Sequence, residues 1–140
     1  MIKTKCILVT GGAGSVGSEL VKQLIPYNRV LIFDNNETGV FDLYEELKLK
    51  KFDIHYRVGD IRNKETVQEV FQGFKPEIVF HAAAYKHVTP MEHFPEEAVV
   101  TNIIGTLNVL KYFKGKKFVF ISTDKVVNFQ NIMGATKRVG

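Results

Sequence analysis

The stretch Thr10-Gly-Gly-Ala-Gly-Ser-Val-Gly17 carries glycines at two overlapping spacings, Gly12, Gly14 and Gly17, and Gly11, Gly14 and Gly17. A backbone stripped of side chains can turn tightly, approach a pyrophosphate and let a helix lie close on a strand. A helix that opens there aims free N–H groups and a positive dipole end at phosphates. Thr10, Ser15 and Val16 complete this candidate dinucleotide cradle. Asp34 closes the next apolar run and is the natural acceptor for adenosine ribose hydroxyls. A carboxylate there repels a 2′-phosphate, which favours NAD over NADP. Asn35 and Asn36 follow it, with no Arg directly after. The competing reading of Asp34 is a helix cap.

Further along, Asp60 and Ile61 fit two readings: acceptor and apolar floor for an adenine, or an ordinary turn after a strand. Ala82, Ala83 and Ala84 are small enough to let a cofactor lie against the backbone, and equally suit helix–sheet packing. Ser122-Thr-Asp-Lys125 follows a fifth apolar run, where an open α/β sheet places its chemistry. Met133 and Lys137 are spaced to share one helix face. From spacing alone, Asp124 and Lys125 also read as a solvated ion pair.

The elements that must position these residues are legible as alternating patterns. Apolar runs at Lys5–Thr10, Arg29–Asp34, Asp53–Val58, Glu77–Ala82 and Lys116–Ser122 predict five strands, the first of them short, β-branched and buried. Helical spacing links Leu20, Val21, Leu24 and Ile25, then Val40, Leu43, Tyr44 and Leu47, then Val67, Val70, Phe71 and Phe74 behind a cap at Asn63. A longer helix starts near Pro95, with Val99, Ile103, Leu107 and Leu110 on its inner side. Asn131 to Gly140 opens a last helix. The pattern predicts an α/β fold, a doubly wound parallel sheet of strand order 3-2-1-4-5 with helices on both faces. Residues 1–140 form one Rossmann-like domain that stops as its last helix begins. The expectation is an N-terminal part of a longer enzyme, lacking a substrate domain and inactive alone.

Composition narrows the class. With 45% hydrophobic residues the chain can build a core, which excludes a disordered tail. One cysteine excludes an internal disulfide and fits a reducing, cytoplasmic compartment. No apolar run is long enough to span a membrane. The net charge of +4 is modest, and the lysines at 48, 50 and 51 and at 114, 116 and 117 read as solvated rims. Nucleic acid is therefore not an expected partner. No metal-ligand cluster accompanies His81, which reads as a packed strand-end histidine.

Thr10–Gly17, His81–His87, Asn102–Thr106 and Ser122–Lys137 together resemble the extended short-chain dehydrogenase/reductases. More closely, Tyr85-Lys-His-Val-Thr-Pro-Met-Glu92 and the stretch from Ser122 to Arg138 resemble the UDP-N-acetylglucosamine 4,6-dehydratases of bacterial polysaccharide biosynthesis. The resemblance implies an NAD(P)-dependent lyase acting on a UDP-sugar. The sugar is oxidised at carbon 4, loses its carbon-5 proton and 6-hydroxyl as water, and is reduced at carbon 6. It implies Lys125 as carbon-5 base, Asp124 as acid at the 6-hydroxyl, and Thr123 as hydrogen-bond partner of the 4-oxygen. Lys137 would hold the nicotinamide ribose, and Asn102 would help organise the site. Lys86 and His87 lie on a loop near the sugar nucleotide; a solvated loop pair is the other reading. Met133 stands where the superfamily has a tyrosine base, and a thioether accepts no proton, so the burden shifts to Asp124 or Lys125. The alternatives are a nucleotide-sugar epimerase and a non-catalytic dinucleotide-binding module. An apolar flank beside the fifth strand would favour a homo-oligomer.

Overall fold

The computed structural model describes residues 2–127 and 130–139. Strands β1 (Cys6–Thr10), β2 (Arg29–Asp34), β3 (His55–Val58), β4 (Ile78–His81) and β5 (Lys117–Phe120) form one parallel sheet. Its order is β3-β2-β1-β4-β5, as the doubly wound reading predicts. β2 has the expected bounds and the other strands are shorter than the apolar runs; β3, for example, pairs only from His55, opposite Leu31.

Alternation along each strand splits the core in two. Ile7, Val9, Val30 and Ile32 pack with Val21 and Ile25, and with Val40, Leu43 and Leu47. These belong to α1 (Ser15–Leu24), its C-cap and α2 (Glu37–Leu49). Leu8, Leu31, Phe33 and Val79 pack on the opposite face with Val67, Val70, Phe71 and Phe74 of α3 (Lys64–Phe74). Both faces of β1, β2 and β4 are covered, so these strands read as nearly continuous apolar runs, whereas the edge strand β3 is largely exposed. Side chains set the helix starts. Asn36 Oδ1 accepts from Gly39 N–H at 3.1 Å, and Asn63 Oδ1 accepts from Thr66 N–H at 2.8 Å. Asn36, not Asp34, caps α2.

The segment between β4 and β5 departs from the expected single helix. It comprises α4 (Val88–His93), α5 (Pro95–Val99), a π-helical turn at Val100–Gly105, and α6 (Thr106–Tyr112). The expected inner face is wrong. Val99, Leu107 and Leu110 are 40%, 54% and 42% exposed, and Ile103 is half-buried. Ala98, Thr101, Asn102, Gly105, Thr106 and Val109 face inward instead. Two causes combine. The π turn adds a residue to the helical repeat and rotates the inner face. The helical segment also lies too close to the turn after β3 for a large residue at Gly105: a Cβ there would sit 2.6 Å from Ile61 Cδ1. The last helix, α7 (Ile132–Val139), lies where expected, with Asn131 Oδ1 accepting from Gly134 N–H at 2.7 Å. No helix among the described residues is long and apolar enough to cross a membrane.

Candidate functional site

A crevice of about 450 Å³ opens along the carboxyl ends of the strands. Its first wall is the glycine loop. Gly11 has φ +67°, and a Cβ there would sit 2.6 Å from Ala83 N, so the loop backbone lies directly on the segment after β4. A Cβ on Gly17 would overlap the Gly11 carbonyl. These two contacts are what the glycines are for: they bring the end of β1, the start of α1 and the end of β4 together. α1 begins at Ser15 with no side-chain cap and no acidic residue in its first turn. Its first N–H groups have no intrahelical acceptor. Gly11, Gly14, Ser15, Val16 and Gly17 all line it.

Asp34 lies beside this loop. Its Oδ2 accepts from Ala13 N–H and its Oδ1 from Asn36 N–H, both at 2.9 Å, which fixes the carboxylate at the crevice edge. Asp60 and Ile61 form the neighbouring wall. Burial pushes the Asp60 carboxyl up, but the Arg62 side chain and backbone N–H, with Asn35, outweigh it and hold the carboxyl below the usual range. Arg62 Nε donates to Asp60 Oδ2 and Nη1 to Glu97 Oε2, each at 2.8 Å, tying this wall to α5.

At the other end, Thr123, Lys125, Met133 and Lys137 converge with Ala82, Ala83, Ala84 and Lys86. Met133 and Lys137 do share one face of α7, 2% and 7% exposed. Lys137 Nζ donates to the Ile121 carbonyl at 2.8 Å and sits 4.1 Å over the Phe120 ring. Burial lowers its pKa to about 8.

Five expected site residues do not line the crevice: Thr10, Gly12, His87, Asn102 and Asp124. Thr10 is fully buried, and its hydroxyl meets His81 Nδ1 beneath the loop rather than a phosphate. A Cβ on Gly12 would meet Ile32 Cγ2 at 2.9 Å, so Gly12 serves packing on β2. His87 is an exposed residue at the start of α4. Asn102 organises the crevice from behind. Its Oδ1 accepts from Tyr85 N–H at 2.8 Å, and its Nδ2 donates to the Tyr85 carbonyl and to Thr136 Oγ1. Asp124 is exposed and accepts from the Thr123 hydroxyl at 3.0 Å.

Sequence reasoning missed Tyr85, Ser122 and Thr101, which also line the crevice. Thr101 is the informative one. Its Oγ1 is buried without a hydrogen-bond partner in a residue 8% exposed. An orphan buried hydroxyl costs stability, and this one sits in a residue of the crevice wall. No pattern in the sequence exposes it, because the π turn sets its direction. Among the described residues, no group of three or more His, Cys, Asp or Glu side chains is placed to hold a metal.

Residues 7–140 match the polysaccharide biosynthesis protein family. The chain belongs to that family. Membership agrees with the resemblance read from the Tyr85–Glu92 and Ser122–Arg138 stretches. Within the polysaccharide biosynthesis proteins, the chain is 41% identical to the capsular polysaccharide biosynthesis protein CapD of Staphylococcus aureus, over 99% of its own length and 24% of that protein. It is 36% identical to the UDP-N-acetylglucosamine 4,6-dehydratase (inverting) of Campylobacter jejuni and to the UDP-glucose 4-epimerase of Rickettsia canadensis, over 98% of itself and 42% of each. The X-ray structure of Pen from Bacillus thuringiensis superposes with a TM-score of 0.91 at 38% identity, covering 99% of this chain and 44% of that one. The chain thus spans less than half the length of each of these four proteins.

Proposed function

We propose that this chain is the dinucleotide-binding part of a nucleotide-sugar 4,6-dehydratase acting on UDP-N-acetylglucosamine or a close relative. One observation carries the reading. The glycine-rich cradle at Gly11–Gly17 and the group Thr123, Lys125, Met133 and Lys137 open into the same crevice. The cradle that a Cβ would fill, the free N–H groups of α1 and the orphan Thr101 hydroxyl together fit a dinucleotide. Asp34 would take the adenosine ribose hydroxyls and favour NAD over NADP. Asp60 and Ile61 would border the adenine. When bound, a nicotinamide coenzyme supplies hydride acceptance and return.

The chain's own residues would do the rest. Lys137, held by the Ile121 carbonyl, would orient the nicotinamide ribose and place positive potential at the sugar 4-oxygen. The Thr123 hydroxyl would hydrogen-bond that oxygen. Lys125 would take the carbon-5 proton. Asp124 would protonate the departing 6-hydroxyl, which requires the Thr123–Lys125 turn to rotate its exposed carboxylate inward. Met133 supplies no proton acceptor, so removal of the 4-hydroxyl proton falls to Lys125 or Asp124. Lys86, exposed at the crevice mouth, would meet the sugar nucleotide. Small-molecule chemistry of this kind fits a cytoplasmic enzyme.

The equal identity to a 4-epimerase keeps one second reading in view, and the product decides between them. Incubation of the full-length protein with UDP-N-acetylglucosamine should release water and yield a 4-keto-6-deoxy sugar. Recovery of only the carbon-4 epimer would establish the epimerase instead. No turnover of any UDP-sugar would overturn both.

A further inference from the structure

His81 is fully buried at the end of β4. Its Nδ1 lies 2.6 Å from Thr10 Oγ1 and its Nε2 lies 2.9 Å from Thr106 Oγ1. The direction of each bond follows from counting protons. Thr106 has one hydroxyl proton and donates it to the Asn102 carbonyl at 2.7 Å. It must therefore accept from Nε2–H. In a neutral imidazole Nδ1 is then an acceptor, and the Thr10 hydroxyl donates to it. The imidazole is held neutral: burial, and after it the Lys137 charge, push its pKa down to about 3.

This ring touches the support of each crevice wall. Thr10 directly precedes Gly11, whose backbone lies on Ala82 and Ala83. Thr106 follows the π turn that carries Thr101 and Asn102. Asn102 in turn clamps the Tyr85 backbone and reaches Thr136 in α7, whose hydroxyl donates to the Met133 carbonyl. The imidazole also stacks on Phe120, centroids 5.7 Å apart, and Phe120 underlies the Lys137 ammonium.

We infer that His81 is a positioning residue: as the Nε2–H tautomer it locks the glycine loop, through Thr10, to the π turn, through Thr106, and so sets the separation of the two crevice walls. The inference rests on the dinucleotide reading of that crevice. It assigns a task to a histidine that touches no ligand. A mere packing role would need the ring's shape but not its two directed hydrogen bonds.

The test uses the full-length protein and NADH. In the wild type, imidazole nitrogen NMR should show a proton on Nε2 and a bare Nδ1, unchanged across the neutral pH range. Thr106→Val keeps the volume and removes the acceptor; NADH affinity should fall about tenfold, the factor expected for one buried hydrogen bond. Thr106→Ser keeps the hydroxyl and should restore affinity. His81→Phe keeps the stack on Phe120 and should weaken NADH binding at least as much as Thr106→Val. Adding Thr106→Val to it should cost little more, since both variants break one chain. An imidazolium or an Nδ1–H tautomer would overturn the role. So would Thr106→Val binding NADH like the wild type, or Thr106→Ser losing as much as Thr106→Val. A wild type that shows the expected tautomer but binds no NADH would instead overturn the dinucleotide reading, and the role with it.

Discussion

Replacing Lys137 by Met should change how stability depends on pH. Lys137 is 7% exposed as a residue, and burial lowers its pKa from 10.5 to about 8. Below the folded value both states carry the charge, and the folded state bears the whole desolvation penalty. Between about 8 and 10.5 the folded chain releases the proton while the unfolded chain keeps it. The unfolded state then binds more protons, so stability rises with pH through that window. The size of the shift corresponds to about 3 kcal/mol. Lys137→Met has no proton to release. Its Sδ cannot donate to the Ile121 carbonyl, but that loss is independent of pH. Urea midpoints of the two proteins at neutral pH and at the alkaline end of the window should therefore diverge. The wild type should gain about 3 kcal/mol on the variant, or about 10 °C in melting temperature. Parallel curves would refute the reasoning and place the ammonium in water. A wild type that instead loses stability relative to the variant over this range would show that the charge is stabilised where it lies.

Gly17→Ala should destabilise the fold and abolish NADH binding, although Ala is the better helix former, because the new Cβ overlaps the Gly11 carbonyl; calorimetry and NADH fluorescence check both. Thr101→Val should do the opposite to stability. It removes an orphan buried hydroxyl worth about 1–3 kcal/mol, so the melting temperature should rise while affinity for NADH falls. Asp34→Asn should weaken NADH binding and narrow the preference over NADPH, read as the ratio of dissociation constants. Lys125→Met and Asp124→Asn in the full-length protein should leave NADH binding intact and stop water release, as mass spectrometry of the product would show.

The fold was readable because apolar runs and helical spacings alternate cleanly, and a sheet buried on both faces allows few connections. The glycine cradle was readable for a similar reason: backbone approach demands glycine, and Gly11 and Gly17 occupy positions where any Cβ meets main chain. What failed lay between β4 and β5. Val99, Leu107 and Leu110 have the spacing of a buried stripe, yet a π turn and the close approach of Gly105 to Ile61 turn small and polar residues inward. That rotation also hid Thr101, and it turns Asn102 inward to brace the Tyr85 backbone and Thr136. Thr10 was less legible for another reason. Its position beside the loop suggests a phosphate contact, but alternation along β1 turns its side chain down to His81. Asp124 adjoins Lys125 in sequence, and the short helical turn at Asp124–Val126 brings only Lys125 to the crevice.

The central claim is that the Gly11–Gly17 backbone and the α1 N-terminus hold the pyrophosphate of a dinucleotide. Crystals of the protein soaked with NAD test it most directly. The account predicts density for two linked phosphates against Gly14, Ser15 and Val16, with the ribose hydroxyls at Asp34 and the nicotinamide toward Lys137. An empty cradle at saturating NAD, or an adenosine bound on another face of the sheet, would contradict it.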